Sequence, residues 1–376
     1  MINCGTFSKE VEMFVSDTPD SYVSAKGAFI EMHDGSIFLD TVLGLGAYPR
    51  GYDSFIAGEV TRTLGKTHGL ISGLPHQLWK RVSSAVCHIL NLDAVRPVRT
   101  GSDGCLAAVT LARAVRPGKV VVARNAYHGQ WLQWKAPARG SMLDMSQFIV
   151  VDPEDPETWP GHTDVSCIIY EYPINPPGHD WWIYIEAMRK EGVIFIADEV
   201  VTALRFPGNR AIPYSDLIVA GKGLANGFGL YVVGGRLDLM NEFNIGNPVF
   251  ISSTYTGDVA ALAATDANLS LSDSKTLGDT LTMLGIDLWN KLDPEFFDQS
   301  APLHINGQPS RWIFEGDAEL LAGLCKCCLD NGMLVNRPFL TCTAHVGHLD
   351  YMAETLNNAL QSRRRAKAPR KLFTNR

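Results

Sequence analysis

The chain has 376 residues, 46% hydrophobic and 19% charged, with a formal net charge of −7, so it is long enough for more than one core and its acidic balance excludes a basic nucleic-acid-binding module. No run approaches the roughly 20 apolar residues of a membrane span, and Met1 to Glu10 lacks the basic region and apolar stretch of a secretory signal. Eight scattered cysteines are too few for a disulfide framework in a chain of this length, which points to a reducing cytoplasm.

Residues 25 to 45 alternate apolar and polar around Asp34-Gly35, a turn dipeptide between two strand-like runs, and read as a β-hairpin. Helical apolar spacing follows over residues 76 to 92, with Leu78, Val82, Val86 and Ile89-Leu90 on one stripe. Thr100-Gly-Ser-Asp-Gly104 then precedes an apolar helix from Leu106 to Val115. A loop in that place either caps the helix or offers its amides and the Ser102 hydroxyl to a dianion at the positive end of the helix dipole.

Between residues 105 and 235 short apolar runs alternate with helical or loop segments: Val120 to Ala123, Val165 to Tyr170, Val193 to Ala197 and Leu217 to Ala220. This pattern predicts a mainly parallel sheet covered by helices. Tyr127-His-Gly129 follows the first run. Its tyrosine is either a stacking surface for a planar ring or a buried residue at a strand end, and His128 reads as an ordering residue near such a ring. Prolines 153, 156 and 160, and then 173, 176 and 177, mark connections.

The run Val193-Ile-Phe-Ile-Ala-Asp-Glu199 delivers an acid pair, and about two dozen residues later Lys222 follows the run Leu217 to Ala220 among small residues. A carboxylate at a strand end with a lysine at the next is what pyridoxal phosphate requires. The aspartate keeps the pyridine nitrogen protonated, and the lysine amine holds the aldehyde as a Schiff base. Desolvation of such a lysine lowers its pKa and frees the amine to act. The plainer role for Asp198 is to cap the helix that follows.

Val249-Phe-Ile with Ser252-Ser-Thr254 reads as a strand and a turn, and Val259 to Leu271 as a helix. Strands are expected near Leu303 to Ile305, Arg311 to Phe314 and Met333 to Val335, with helices near 317–330 and 349–362, a compact α+β region. Cys325, Cys327, Cys328 and Cys342 with His345 and His348 lack the usual zinc spacing, and the apolar density of Leu320 to Leu334 reads as a helix leading into a strand, so no metal is expected. The end from Arg363 to Arg376 carries seven of the 33 basic residues and no acids. It is either a solvated terminus or a contact for phosphates, including those of nucleic acid.

Several of these segments together resemble the glutamate-1-semialdehyde aminomutase and class III aminotransferase family: Ile196-Ala-Asp-Glu-Val-Val-Thr-Ala-Leu-Arg205, Ala220-Gly-Lys-Gly-Leu224, Ser253-Thr-Tyr-Thr-Gly-Asp258, and upstream Thr100 to Ala108, Tyr127-His-Gly129 and Met32 to Asp40. The resemblance runs from about residue 20 to about residue 360. It implies phosphate binding by Gly101 and Ser102, ring stacking by Tyr127, and packing of Val200 on the ring's other face. Asp198 falls at the ring-nitrogen position and Lys222 at the Schiff-base position. Ser253 and Thr254 fall in the segment whose threonine reaches the phosphate of a neighbouring subunit's cofactor, which implies a homodimer with shared active sites. Two departures concern the substrate end: Tyr48-Pro-Arg-Gly-Tyr52 stands where the family has a Leu-Gly-His-type segment, and Asp258-Val259 replaces Asn-Pro.

The expected fold is therefore α/β, a fold-type-I pyridoxal-phosphate transferase: residues 56–260 as the large domain, residues 1–55 contributing to a small domain, and 261–376 as the rest of it with the basic tail. The expected activity is transfer or migration of an amino group on a small-molecule amine or amino acid. Decarboxylation or racemisation on the same cofactor is the alternative, including on an unusual substrate such as an amino-acid-modified nucleic acid base, because the same electron sink serves whichever bond to Cα breaks. A non-catalytic relative would have lost Lys222 or Asp198, and both are present.

Overall fold

The computed structural model describes residues 21–124, 126–130, 145–244, 246–247, 249–335 and 338–367, with the side chains of 145 and 362–367 left aside. The start of the chain and the basic tail beyond residue 367 lie outside the described residues. Two units emerge: residues 1–43, 50–52 and 282–376 form one, and residues 44–49 and 53–281 the other. No helix among the described residues is long and apolar enough to cross a membrane.

The first unit begins with three antiparallel strands, β1 (Tyr22–Lys26), β2 (Phe29–Met32) and β3 (Ile37–Asp40). Alternation along β2 sends Ile30 and Met32 into a core with Phe38. The expected turn at Asp34-Gly35 closes as its dipeptide dictates: the Asp34 carboxylate accepts from the Ser36 amide at 2.9 Å, and Gly35 sits at φ +84°.

The second unit carries the large sheet, built from β4 (Ala94–Val98), β5 (Lys119–Ala123), β6 (Phe148–Val151), β7 (Val165–Glu171), β8 (Ile194–Glu199), β9 (Leu217–Ala220) and β10 (Tyr231–Gly235), in the order β4-β10-β9-β8-β7-β5-β6. The stretch from β9 through β8, β7 and β5 to β6 is parallel. Its central strands are almost continuously buried, as two-sided cover by helices requires. β10 returns antiparallel between β9 and β4. The reason is length, since residues 221–230 are fewer than the dozen or so that a parallel crossover needs.

The helices of this unit include α1 (Ser54–Thr67), α2 (Leu78–Leu90), α3 (Gly101–Val115) and α4 (His179–Lys190). Two sequence readings change here. The turn-rich stretch at Gly101 to Gly104 is the first turn of α3, because Thr100 and Asp103 form a capping box that outweighs the poor helix propensity of glycine. Val249 to Ile251 forms no strand; Phe250 is 85% exposed and has no ladder around it. Helix α5 (Val259–Ser270) follows, capped by Asp258, whose carboxylate accepts from the Ala261 amide at 2.9 Å.

The first unit resumes with β11 (Leu303–Gln308) and β12 (Arg311–Gly316), an antiparallel pair, and with the short β13 (Met333–Leu334), which adds to β3 in parallel. β14 (Phe339–Leu340) pairs antiparallel with β12, around a stacked Trp312–Phe339 pair with ring centroids 4.4 Å apart. Cys325 and Cys328 are buried on the helix Ala318–Asp330, and none of the seven described cysteines is joined in a disulfide.

Candidate active site

In a parallel sheet the carboxyl ends of the strands open onto one rim, and ligands bind there. On this rim β5 leads to Tyr127 and His128, β8 ends in Asp198-Glu199, and β9 leads directly to Lys222. The register places Asp198 beside Val219 and Glu199 beside Ala220, so the carboxylate and the lysine leave neighbouring strands within a few residues of each other.

The acid pair divides its work because successive side chains on a strand point to opposite faces. Glu199 is fully buried and accepts from the amides of Ile212 (2.7 Å) and Ala211 (3.1 Å) and from the Thr202 hydroxyl, which pins the 200–212 segment. Burial raises its pKa, and these donors oppose the shift. Asp198 turns the other way. Its Oδ1 accepts from the Val200 amide at 3.1 Å, and its Oδ2 lies 2.7 Å from His128 Nδ1 and 3.3 Å from Cys105 Sγ. All three side chains are buried. His128 thus meets the carboxylate, in keeping with its reading as an ordering residue. Cys105, His128 and Asp198 also bring potential metal-ligating atoms within 4.8 Å of one another.

Helix α3 points its first turn at the same place. The Thr100 hydroxyl accepts from the Asp103 amide at 3.1 Å, and the Asp103 carboxylate returns to the Thr100 amide at 3.1 Å, so the amides of Gly101 and Ser102 head the helix. A Cβ on Gly101 would lie 3.0 Å from both methyls of Val200, which brings the phosphate-loop position against the residue after the acid pair. The Ser102 hydroxyl accepts from the Gln130 amide at 3.1 Å. Gly129, at φ +82°, passes so close that a Cβ there would sit 2.3 Å from Ser102 Oγ. Tyr127, two residues earlier, is 61% exposed, which removes the alternative of a buried tyrosine at the strand end; its amide donates to Glu171 Oε1 at 2.9 Å.

Lys222 has φ +40°, a left-handed conformation that costs a non-glycine residue roughly 1–3 kcal/mol and persists only where its surroundings impose it. Those surroundings are tight. A Cβ on Gly221 would lie 1.9 Å from the Tyr231 ring, and Asn268 of α5 donates to the carbonyls of Gly223 (3.0 Å) and Leu224 (2.9 Å). Gly223, Leu224 and Ala225 are buried, whereas Lys222 itself is half-buried and not fully desolvated. Its Nζ donates to the Leu45 carbonyl at 3.0 Å.

That carbonyl belongs to a turn in which Gly44, Leu45 and Gly46 all have positive φ (58°, 56° and 95°). The buried Arg205 guanidinium donates to the next carbonyl, Gly46, at 3.0 Å. Tyr48 covers the same loop: a Cβ on Gly227 would lie 2.0 Å from its ring. Tyr48 and Pro49, the first two residues of the segment that departs from the pattern, therefore lie directly against the lysine-bearing loop. Cys105, Leu45 and Arg205 were not singled out from sequence. Only Arg205 left a signal there, as the last residue of the ten-residue motif that begins at Ile196.

The structure brings Gly101, Ser102, Tyr127, His128, Asp198, Val200 and Lys222 to one rim. Ser253 and Thr254 stand apart as exposed residues, Thr254 lining an open cavity with residues 67–77. The donor set fits pyridoxal phosphate: helix-head amides for a dianion, a carboxylate fixed by three donors for a ring nitrogen, an exposed aromatic face and a lysine amine.

Residues 176–307 match the family model for class-III aminotransferases. The chain is 29% identical over 301 residues to glutamate-1-semialdehyde 2,1-aminomutase of Thermus thermophilus, covering 71% of this chain and 70% of that protein. To the same-named protein of Methanococcus maripaludis it is 25% identical over 386 aligned positions, covering 90% and 89%. Among solved structures, a β-phenylalanine aminotransferase from Variovorax paradoxus superposes with a TM-score of 0.83 at 20% identity, over 95% of this chain and 90% of that one. A glutamate-1-semialdehyde aminomutase from Pseudomonas aeruginosa gives 0.76 at 19% identity, over 91% and 87%.

Proposed function

We propose that the chain is a class-III aminotransferase, an enzyme of fold type I that uses pyridoxal phosphate, and that it transfers or migrates an amino group through Lys222 and Asp198. The observation that carries this reading is the pair itself, a lysine and a fixed carboxylate leaving adjacent parallel strands on the ligand-binding rim. Pyridoxal phosphate, when bound, supplies a sink for the electrons of a bond broken at the substrate's Cα.

The chain's own residues then have distinct tasks. The amides of Gly101 and Ser102 and the Ser102 hydroxyl hold the phosphate against the positive end of α3. Tyr127 and Val200 would hold the two faces of the ring, and Asp198 would keep the proton on its nitrogen. His128 and the Val200 amide fix the orientation of that carboxylate. The Lys222 amine would hold the cofactor by its aldehyde group and, when free, Nζ would be the base that takes up and returns the proton of the substrate's Cα.

Product analysis tests the reading. Incubated with small amines and amino acids, the enzyme is expected to give an isomerised amine without an added keto acid, or a keto product and a new amino acid with one. Carbon dioxide release, or inversion at Cα with no amino transfer, would instead favour the decarboxylase or racemase reading.

We also assign a homodimer in the cytoplasm, with each phosphate touched by Ser253 or Thr254 of the second copy. The support is the exposed apolar side chains near that segment, Phe250 at 85% and Leu74 at 77%. Sedimentation at micromolar concentration is expected to give a dimer, and Phe250→Asp to shift it toward monomer. Mixing Lys222→Ala chains with Thr254→Ala chains should restore one complete site per mixed dimer; a monomeric parent protein would remove the shared-site assignment.

A further inference from the structure

Building on the assignment of Asp198 as the ring-nitrogen partner, we propose that Cys105 is a positioning residue that sets how much negative charge Asp198 presents to the cofactor.

Cys105 stands four residues after Gly101 and three after Ser102 on α3, so helical spacing puts it on the same face as the two residues at the phosphate end. It is fully enclosed, and its Sγ reaches Asp198 Oδ2 at 3.3 Å, across 93 residues of chain. A carboxylate has about four acceptor directions. Among the described residues three donors take up three of them: His128 Nδ1 and Cys105 Sγ on Oδ2, and the Val200 amide on Oδ1. This leaves one for a ring N–H.

The thiol is the proton donor in this contact. Burial first, and then the Asp198 charge, push the Cys105 pKa well above its ordinary range, so the sulfur keeps its hydrogen. His128 and the Val200 amide already fix both carboxylate oxygens. The thiol is therefore not needed for orientation, and what it adds is withdrawal of charge from Oδ2. A cysteine filling a small space under the sheet as an inert apolar residue is the rival account.

The two accounts differ in sign. Pyridoxamine 5′-phosphate, which binds without a covalent bond, is titrated against the full chain by fluorescence, with thermal unfolding of the cofactor-free chain measured in parallel. If the thiol withdraws charge, Cys105→Ala should bind it about threefold more tightly despite a lower melting temperature, because a thiol is a weak donor and a hydrogen bond at the low end of the usual net contribution amounts to roughly that factor. Cys105→Ser, which restores a donor, should return the affinity toward the parent value; Cys105→Thr serves if the serine variant does not fold. Weaker or unchanged binding by Cys105→Ala, with Asp198→Asn weakening binding strongly, would overturn the inference alone. Unchanged binding by Asp198→Asn would overturn the assignment of Asp198 and the inference with it.

Discussion

Lys222→Ala is expected to lower turnover by roughly 10³-fold or more, the upper part of the range for removing a positioned proton-transfer group. Two losses combine in one substitution: the covalent anchor for the cofactor and the amine that carries the Cα proton. Borohydride reduction of the cofactor-loaded parent protein, followed by peptide mapping, should place the added mass on Lys222. The Ala variant should take up cofactor through the helix-head amides and Asp198 yet retain none after reduction and denaturation. Added mass on any other lysine of the parent would remove Lys222 from its assigned role. The fold should survive, since Nζ makes its contact with a carbonyl of a surface-facing turn and Lys222 is only half-buried. Relief of its +40° φ is not expected, because alanine carries the same Cβ.

Asp198→Asn is expected to slow Cα chemistry by roughly 10²–10³-fold, the scale on which removal of a preorganised charge acts in a dry site. The substitution keeps size and most hydrogen-bonding capacity. The Val200 amide can still meet the single amide oxygen at the Oδ1 position, and the NH2 at the Oδ2 position can donate to His128 Nδ1 when the ring carries its proton on Nε2, so the loop geometry should hold. What disappears is the ionic partner that keeps a ring nitrogen protonated. The discriminating measurement is a single-turnover experiment with excess enzyme, in which binding and chemistry separate. Parent-like rates within a few-fold would mean that ring charge is not used.

The places of Lys222 and Asp198 at neighbouring strand ends were legible in the sequence because their signal is local: an apolar run long enough for a buried strand, ended by a charged residue. The parallel sheet was legible for the same reason, whereas the antiparallel direction of β10 was not, because direction depends on the length of a connection. Helix α3 starts five residues before the point its apolar pattern indicates, since Gly101, Ser102 and Gly104 favour a turn in isolation, and only the reciprocal Thr100–Asp103 bonds tip the balance. Cys105 gave no signal at all. Its role rests on one contact with a residue 93 positions away, and nothing in its immediate neighbours distinguishes it from the alanines that follow it on the buried side of the helix.

The turn at Gly44 to Gly46 has a bearing on how this protein can vary. The groups that meet Lys222 and Arg205 there are main-chain oxygens, so no replacement of a side chain deletes them, and Tyr48 and its neighbours can drift with the substrate while the lysine keeps its acceptor. Length is another matter. Removing or inserting a single residue in the turn would displace each oxygen by about 3.8 Å, the spacing of successive Cα atoms, which is more than a hydrogen bond can span. Outside Gly44 and Gly46, whose positive φ holds them to glycine, the loop is therefore open to exchange of residues and closed to changes in their number.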